Sequence, residues 1–182
     1  MYGIINDGIR DMVISMGGAD AWGSITNDLN IEPEEFEPLC PYDDSITYKL
    51  VELVSKRFDI SQDEVLRRYG RHWITYTASQ GYGEIMTLFG TDFRSCLRNL
   101  NLMHAHMGVM MPKLSPPRFH VEEISLNHIV VHYYSHRQGL GPMVTGLLEG
   151  LAEKYHDSIS VRCVPRGTRS DHDEFEVSFI ST

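Results

Sequence analysis

The sequence predicts an α+β protein, with a helical N-terminal half and a C-terminal half carrying a four-stranded antiparallel sheet plus helices. Three observations carry that prediction. Apolar residues recur at helical spacing from residue 4 to about residue 107. The segment Pro112…Pro116-Pro117 then changes the texture of the chain. After it come four runs suited to strands, the first two joined by a turn at Asn127.

Taken in order, residues 4 to 16 carry Ile4, Ile5, Ile9, Met12, Val13 and Met16 on one helical stripe, which Gly17-Gly18 ends. Residues 19 to 30 form a shorter helix containing Trp22 and Ile25. Residues 44 to 58 form a third, with Ile46, Leu50, Leu53 and Val54 as its apolar stripe. Ser61, followed three residues later by Glu64, makes a capping box that opens a helix running through Trp73 to Thr77. Gly81-Tyr82-Gly83 breaks the chain before a short helix. Thr91 or Asp92 then opens a helix reaching about Met107. Residues 118 to 125 and 128 to 135 make a hairpin, 140 to 155 a long helix, and 158 to 164 and 174 to 180 the last two strands, joined by the turn-rich PRGTRSDHD.

Composition narrows the function classes. A formal net charge of -9 argues against nonspecific nucleic-acid binding, which needs a basic surface. The three cysteines, Cys40, Cys96 and Cys163, are widely spaced and form no CxxC pair, so neither a disulfide framework nor a structural zinc site is indicated. MYGIINDGIRDMV lacks the basic-then-apolar pattern of a signal peptide, and no apolar run is long enough to cross a bilayer. The expected location is the cytoplasm.

Two features point to chemistry. In HYYSHRQGL, residues 132 to 140, Tyr133, Ser135 and Arg137 fall two apart, so on a strand they share a face. Together they make a row of hydrogen-bond donors suited to an anion, two hydroxyls and a guanidinium matched to carboxylate. In DFRSCLRNLNLMHAHMGVMM, residues 92 to 111, His104 shares a helical face with Phe93, Leu97, Leu100 and Met107. His106 lies on a more polar face. A neutral imidazole in an apolar pocket, with anion-binding donors nearby, is the arrangement that haem asks for: an axial nitrogen and partners for two propionates.

The chain also resembles a known family, the H-NOX (haem nitric oxide/oxygen binding) domain found in the β subunit of animal soluble guanylate cyclase. The resemblance rests on MYGIIN, YDDSITYKLV, the GYGEIMTLFG region, His104, SPPRF, the YxSxR signature at Tyr133, Ser135 and Arg137, and SDHDEFEVSF. YxSxR alone is a weak pattern. YxSxR about thirty residues after the histidine, with the double proline between, is specific.

The resemblance implies a single H-NOX domain over 1–182. Residues 1–60 would be a helical subdomain and 61–182 a haem-contacting subdomain, with haem b between them. It implies His104 as the axial ligand of the iron, Tyr133, Ser135 and Arg137 as the propionate clamp, and Pro117 as the proline that presses on the porphyrin. Ile5, Trp73, Met143 and Leu147 would line the distal pocket. Thr145 would point away. O2-binding members are expected to place a tyrosine over the iron, and Met143 stands at that position here. The expected ligands are therefore nitric oxide and CO, with little stable O2 binding. NO would weaken the bond to His104, free its helix and relax the strain against Pro117.

The sequence stops at Thr182 without an output domain, so a non-enzymatic sensor signalling to a separate histidine kinase or cyclic-di-GMP enzyme is expected. Some relatives bind zinc through cysteines after the signature arginine. Here Gln138-Gly139-Leu140-Gly141 stands there, and His156, Cys163 and His172 are irregularly spaced, so zinc is not expected. Two other readings remain: an O2-binding sensor aided by the Trp73 indole, and a haem-free interaction module using the Met-rich segment 103 to 111. A hydrolase is excluded because Ser135 and His136 point to opposite faces of a strand and no GxSxG elbow exists.

Overall fold

Gly18 bends the first helix. In the computed structural model, which describes residues 1–29, 36–77, 80, 87–165 and 171–180, helix α1 spans Gly3–Leu29 and is broken internally at Gly18, where φ is 77° and ψ is 177°. The two helices expected on either side of Gly17-Gly18 are therefore one run with a kink at the glycine, which alone tolerates that backbone. The Gly81-Tyr82-Gly83 break and most of the PRGTRSDHD turn lie outside the described residues.

Local sequence sets the next helices. Asp43 caps α2 (Asp44–Phe58) by accepting from the Ser45 N–H, and Asp59 ends it in the left-handed region at φ 51°, its own N–H bonded to the Ser55 carbonyl. Ser61 accepts from the Glu64 N–H at 3.1 Å at the start of α3 (Gln62–Thr77). Asp92 and Ser95 cap one another reciprocally at the start of α4 (Phe93–Met110), which runs three residues beyond the expected end.

The C-terminal half holds strands β1 (Arg118–Ser125), β2 (His128–Tyr134), β3 (Ile159–Val164) and β4 (Asp173–Phe179), with α5 (Gly141–Lys154) between β2 and β3. All pairings are antiparallel and the order is β1-β2-β4-β3. β2 alternates strictly, with Ile129, Val131 and Tyr133 buried. These side chains share a core with Phe175 and Val177 of β4, Phe93 and Leu97 of α4, and Val144, Leu148 and Leu151 of α5. A second core joins α1, α2 and α3 through Ile9, Val13, Leu50, Val54, Val65 and Tyr69.

One strand boundary differs from expectation in an informative way. β2 ends at Tyr134, paired with Arg118, so Ser135 and Arg137 lie beyond the ladder. The next residues back on β1 are Pro117 and Pro116, which have no N–H to donate. The donor row is therefore not a continuous strand. Only Tyr133 belongs to β2, and the Ser135 hydroxyl turns the chain by accepting from the Arg137 N–H at 3.1 Å.

Helices α3 and α5 pack backbone to backbone. A Cβ on Gly70 would overlap the Met143 carbonyl oxygen, and one on Gly146 would overlap the Arg67 carbonyl oxygen. Glu149 of α5 ties this pair to α3 by accepting from Arg67 Nε at 2.9 Å. Among the described residues no helix is long and apolar enough to cross a membrane.

Candidate functional site

Between the two cores lies a cavity of about 530 Å³. That is the size range of small-molecule and cofactor sites. Its lining comes from α1, α2, α3, α4, the Pro116-Pro117 segment, β1, β2, the turn after it, and α5. All nine residues singled out in the sequence line it: Ile5, Trp73, His104, Pro117, Tyr133, Ser135, Arg137, Met143 and Leu147. His106 and Thr145 do not. Thr145 donates its hydroxyl to the Gly141 carbonyl at 3.2 Å, within its own helix.

His104 is the cavity's polar atom set in an apolar wall. Burial holds its pKa below the ordinary histidine value, so the ring is neutral at neutral pH. Its Nδ1 is buried and has no hydrogen-bond partner among the described residues. The ring lies against Phe119, with centroids 5.8 Å apart and planes 24° apart. One turn earlier on α4, Asn101 bonds both backbone groups of Phe119, at 2.6 and 2.9 Å. The buried side chains of α4 are Phe93, Cys96 and Leu97, all in its first half. The half carrying His104 is thus fixed mainly through Asn101 and the cavity itself.

A charged corner is built around Arg137. Its Nε donates to Asp44 at 2.7 Å and Nη1 to the Ser115 carbonyl at 2.9 Å, with Nη2 3.4 Å from the second Asp44 oxygen. The Met1 ammonium also bonds Asp44 and, at 2.6 Å, the Tyr42 carbonyl. Burial disfavours the charged form of Asp44, but hydrogen bonds from Arg137 and the Met1 ammonium outweigh it and hold its carboxyl below the ordinary value. Arg137 and the Met1 ammonium share the Asp44 carboxylate, and the neighbouring Asp43 carboxylate also feels the ammonium's charge. Three of the five Arg137 N–H groups are committed, which leaves donors for a carboxylate ligand.

The remaining wall is apolar. Trp73 meets Tyr69 and Tyr76 with ring centroids 5.9 and 5.8 Å away. Tyr69 is fully buried and its hydroxyl donates to the Ile5 carbonyl at 2.7 Å. The Tyr2 hydroxyl accepts from the Lys113 N–H at 2.9 Å. A neutral nitrogen donor, an apolar slot and a charged corner with free arginine donors can hold a planar, metal-bearing, dicarboxylic ligand.

Asp44, Asn101 and Phe119 were not singled out in the sequence. Asp44 read as an ordinary residue at the start of a helix, and its partner Arg137 is 93 positions away. Nothing local in the sequence pairs them.

The chain matches a family model described as "Haem-NO-binding" over residues 2–163. Soluble guanylate cyclase gcy-32 of Caenorhabditis elegans is 30% identical over 176 residues, covering 94% of this chain and 26% of the relative. The chain thus spans about a quarter of the length of such curated relatives. The crystal structure of an H-NOX protein from S. oneidensis in the Fe(II)NO ligation state superposes with a TM-score of 0.88 at 22% identity, covering 100% of both chains. An oxygen-binding H-NOX domain related to soluble guanylate cyclases, solved as its oxygen complex, gives 0.82 at 22% identity, over 100% of this chain and 96% of that one.

Proposed function

Because the chain belongs to the Haem-NO-binding (H-NOX) family of haem-binding gas sensors, we propose that its cavity holds haem b and serves as a sensor of nitric oxide and CO with little stable O2 binding. The observation that carries the proposal is His104, a neutral imidazole whose buried Nδ1 has no partner among the described residues, lining a cavity with an arginine corner. A bound ferrous haem supplies an open coordination position at which a diatomic gas binds.

The chain's own residues divide the remaining work. His104 presents a nitrogen ligand. Arg137, Ser135 and Tyr133 offer donors to propionates, with Asp44 fixing the guanidinium. Pro117 supplies a rigid contact against the macrocycle. Ile5, Trp73, Met143 and Leu147 form the gas side of the pocket. The N-terminal helical part, residues 1–60, and the remainder, 61–182, close on the ligand from two sides.

Gas choice follows from hydrogen-bond donors. Bound O2 is strongly polar and gains from a donor, whereas NO and CO need one less. At the position where a tyrosine would serve, Met143 offers none, and the nearby Tyr69 hydroxyl is committed to Ile5. A second reading, stable O2 binding, rests on Trp73, whose indole makes no hydrogen bond among the described residues and lines the same cavity. In signalling, the lightly anchored half of α4 is the element whose position would change, read out by a separate histidine kinase or cyclic-di-GMP enzyme.

The test is spectroscopic. Purified ferrous protein should show a strong Soret band that His104→Ala abolishes and that NO and CO shift. Protein that stays colourless after expression with ample haem overturns the cofactor. A long-lived oxy spectrum in air overturns the gas assignment and, if lost in Trp73→Phe, establishes the second reading.

A further inference from the structure

The outer face of the sheet, opposite the cavity, carries a cluster of imidazoles and carboxylates that the sensor reading does not use. His132 of β2 sits directly opposite Glu174 of β4 and His120 of β1. Its neighbour Tyr133 faces the cavity, so His132 faces away from it. His172, just before β4, completes the group. His132 Nδ1 and His172 Nε2 are 2.9 Å apart, His172 Nε2 is 3.2 Å from Glu174 Oε1, and His132 Nδ1 is 3.7 Å from the same oxygen.

From this geometry we propose that His132, His172 and Glu174 bind a divalent transition-metal ion, Zn²⁺ foremost, on the outer face of the sheet. The proposal does not depend on haem.

Each of the three facing atoms can offer a lone pair, and all lie within 4.8 Å of one another. Their separations of 2.9, 3.2 and 3.7 Å bracket the edge of a tetrahedron with zinc-ligand bonds of 2.0–2.1 Å, about 3.3 Å. Two histidines and one carboxylate leave a fourth position for water, the ligand set of open zinc sites.

The far side of each ring supports the assignment. A metal-bound histidine donates its other N–H to a carboxylate or carbonyl. His172 Nδ1 lies 2.8 Å from Asp171 Oδ1. His132 Nε2 lies 3.6 Å from Glu122 Oε1, and among the described residues it is buried without a hydrogen-bond partner. Binding through Nδ1 fixes the proton on Nε2, where Glu122 can take it. His172 thus has a carboxylate within hydrogen-bond distance behind it, and His132 has one 3.6 Å away that His120 Nε2 approaches at 3.4 Å.

The walls are also in place. The Tyr134 ring packs on His172 with centroids 4.5 Å apart, and Arg118 lies over Tyr134 at 4.7 Å. The two histidine side chains are only 15% and 16% exposed, while Glu174 is 40% exposed and leaves a path for entry. Cys163 takes no part. It pairs with Phe175 on the inner face of the sheet. The sequence offered His172 only in an irregular set with His156 and Cys163, because the pairing of β2 with β4 is what brings His132 to it.

The experiment uses the purified full chain, stripped with a chelator and titrated with zinc chloride, with cobalt(II) chloride as the spectroscopic probe. One zinc per chain should bind, and cobalt should give the intense visible bands of a four-coordinate site. His172→Ala and Glu174→Gln should each weaken zinc binding at least roughly 10-fold, and Asp171→Asn, behind a ligand, by roughly 10-fold. Cys163→Ser should leave it unchanged. His172 precedes β4 and Glu174 is its second residue, outside the buried set Asp173, Phe175 and Val177, so both variants keep the strand's buried side chains, and circular dichroism confirms folding. Absence of saturable zinc binding overturns the proposal. So does binding that is equally tight in His172→Ala, or that is lost in Cys163→Ser.

Discussion

Asn101 clips α4 to β1 by bonding both backbone groups of Phe119. Its Nδ2 donates to the Phe119 carbonyl at 2.6 Å, and its Oδ1 accepts from the Phe119 N–H at 2.9 Å. The Phe119 ring in turn lies on His104. The clip therefore sets where His104 sits relative to the sheet. Asn101→Ala leaves a partly buried N–H and C=O without partners, which costs about 1–3 kcal/mol. The expected result is a lower urea midpoint, with faster hydrogen exchange concentrated in residues 102 to 110. Exchange that rises equally in the first half of α4 contradicts a local clip.

Asp44 gives the charged corner a pH dependence. Its carboxyl is held below the ordinary value of 3.8, so it takes up its proton later than in the unfolded chain. Its contribution to stability is fully present above about pH 4 and is lost as pH falls through its lowered pKa. Asp44→Asn should unfold at lower urea than the wild type at pH 7, and the gap should close on acidification below about pH 4. A gap that stays constant down to pH 3 rules the pairing out as its cause.

These two contacts mark the limit of what the sequence conveyed. His104 and the Tyr133-Ser135-Arg137 set stood out because each carries a local signal: a polar residue on an apolar stripe, and donors two residues apart; Pro117 was assigned a role only through the family resemblance. Their convergence on one cavity with Ile5, Trp73, Met143 and Leu147 came from the family resemblance. Asp44–Arg137 and His132–His172 were not legible, because their members come from elements 93 and 40 residues apart and meet only through tertiary packing. The end of β2 at Tyr134 was missed for a related reason. Strand length depends on the partner, and the partner begins only after Pro117.

Gly146 tests how closely α5 must pack on α3 beside the cavity. It lies on α5 between Met143 and Leu147, both of which line the cavity, and faces the Arg67 carbonyl of α3. Gly146→Ala has no room and must push α5 away from α3 and Trp73. Overpacking of this kind costs about 1–3 kcal/mol, and for a chain of this size each kcal/mol lowers Tm by about 2–4 °C. A calorimetric scan should show that drop. An unchanged Tm means that the helices separate without cost.

His104 should make the haem-free protein less stable than it needs to be. In the unfolded chain its ring titrates near the ordinary 6.5, while burial holds the folded value lower. Between those two values the unfolded chain binds a proton that the folded chain does not, so stability falls as pH falls from about 6.5 and levels off below the folded value. Leucine has no lone pair to strand and no proton to gain. His104→Leu should therefore raise the urea midpoint of the haem-free protein at neutral pH, by about 1–3 kcal/mol for the relieved Nδ1. The advantage should widen as pH drops below about 6.5. The same variant should take up no haem. A midpoint difference that is independent of pH would show that His104 is not desolvated, and with it would go the reason for reading that ring as a ligand kept neutral by its surroundings.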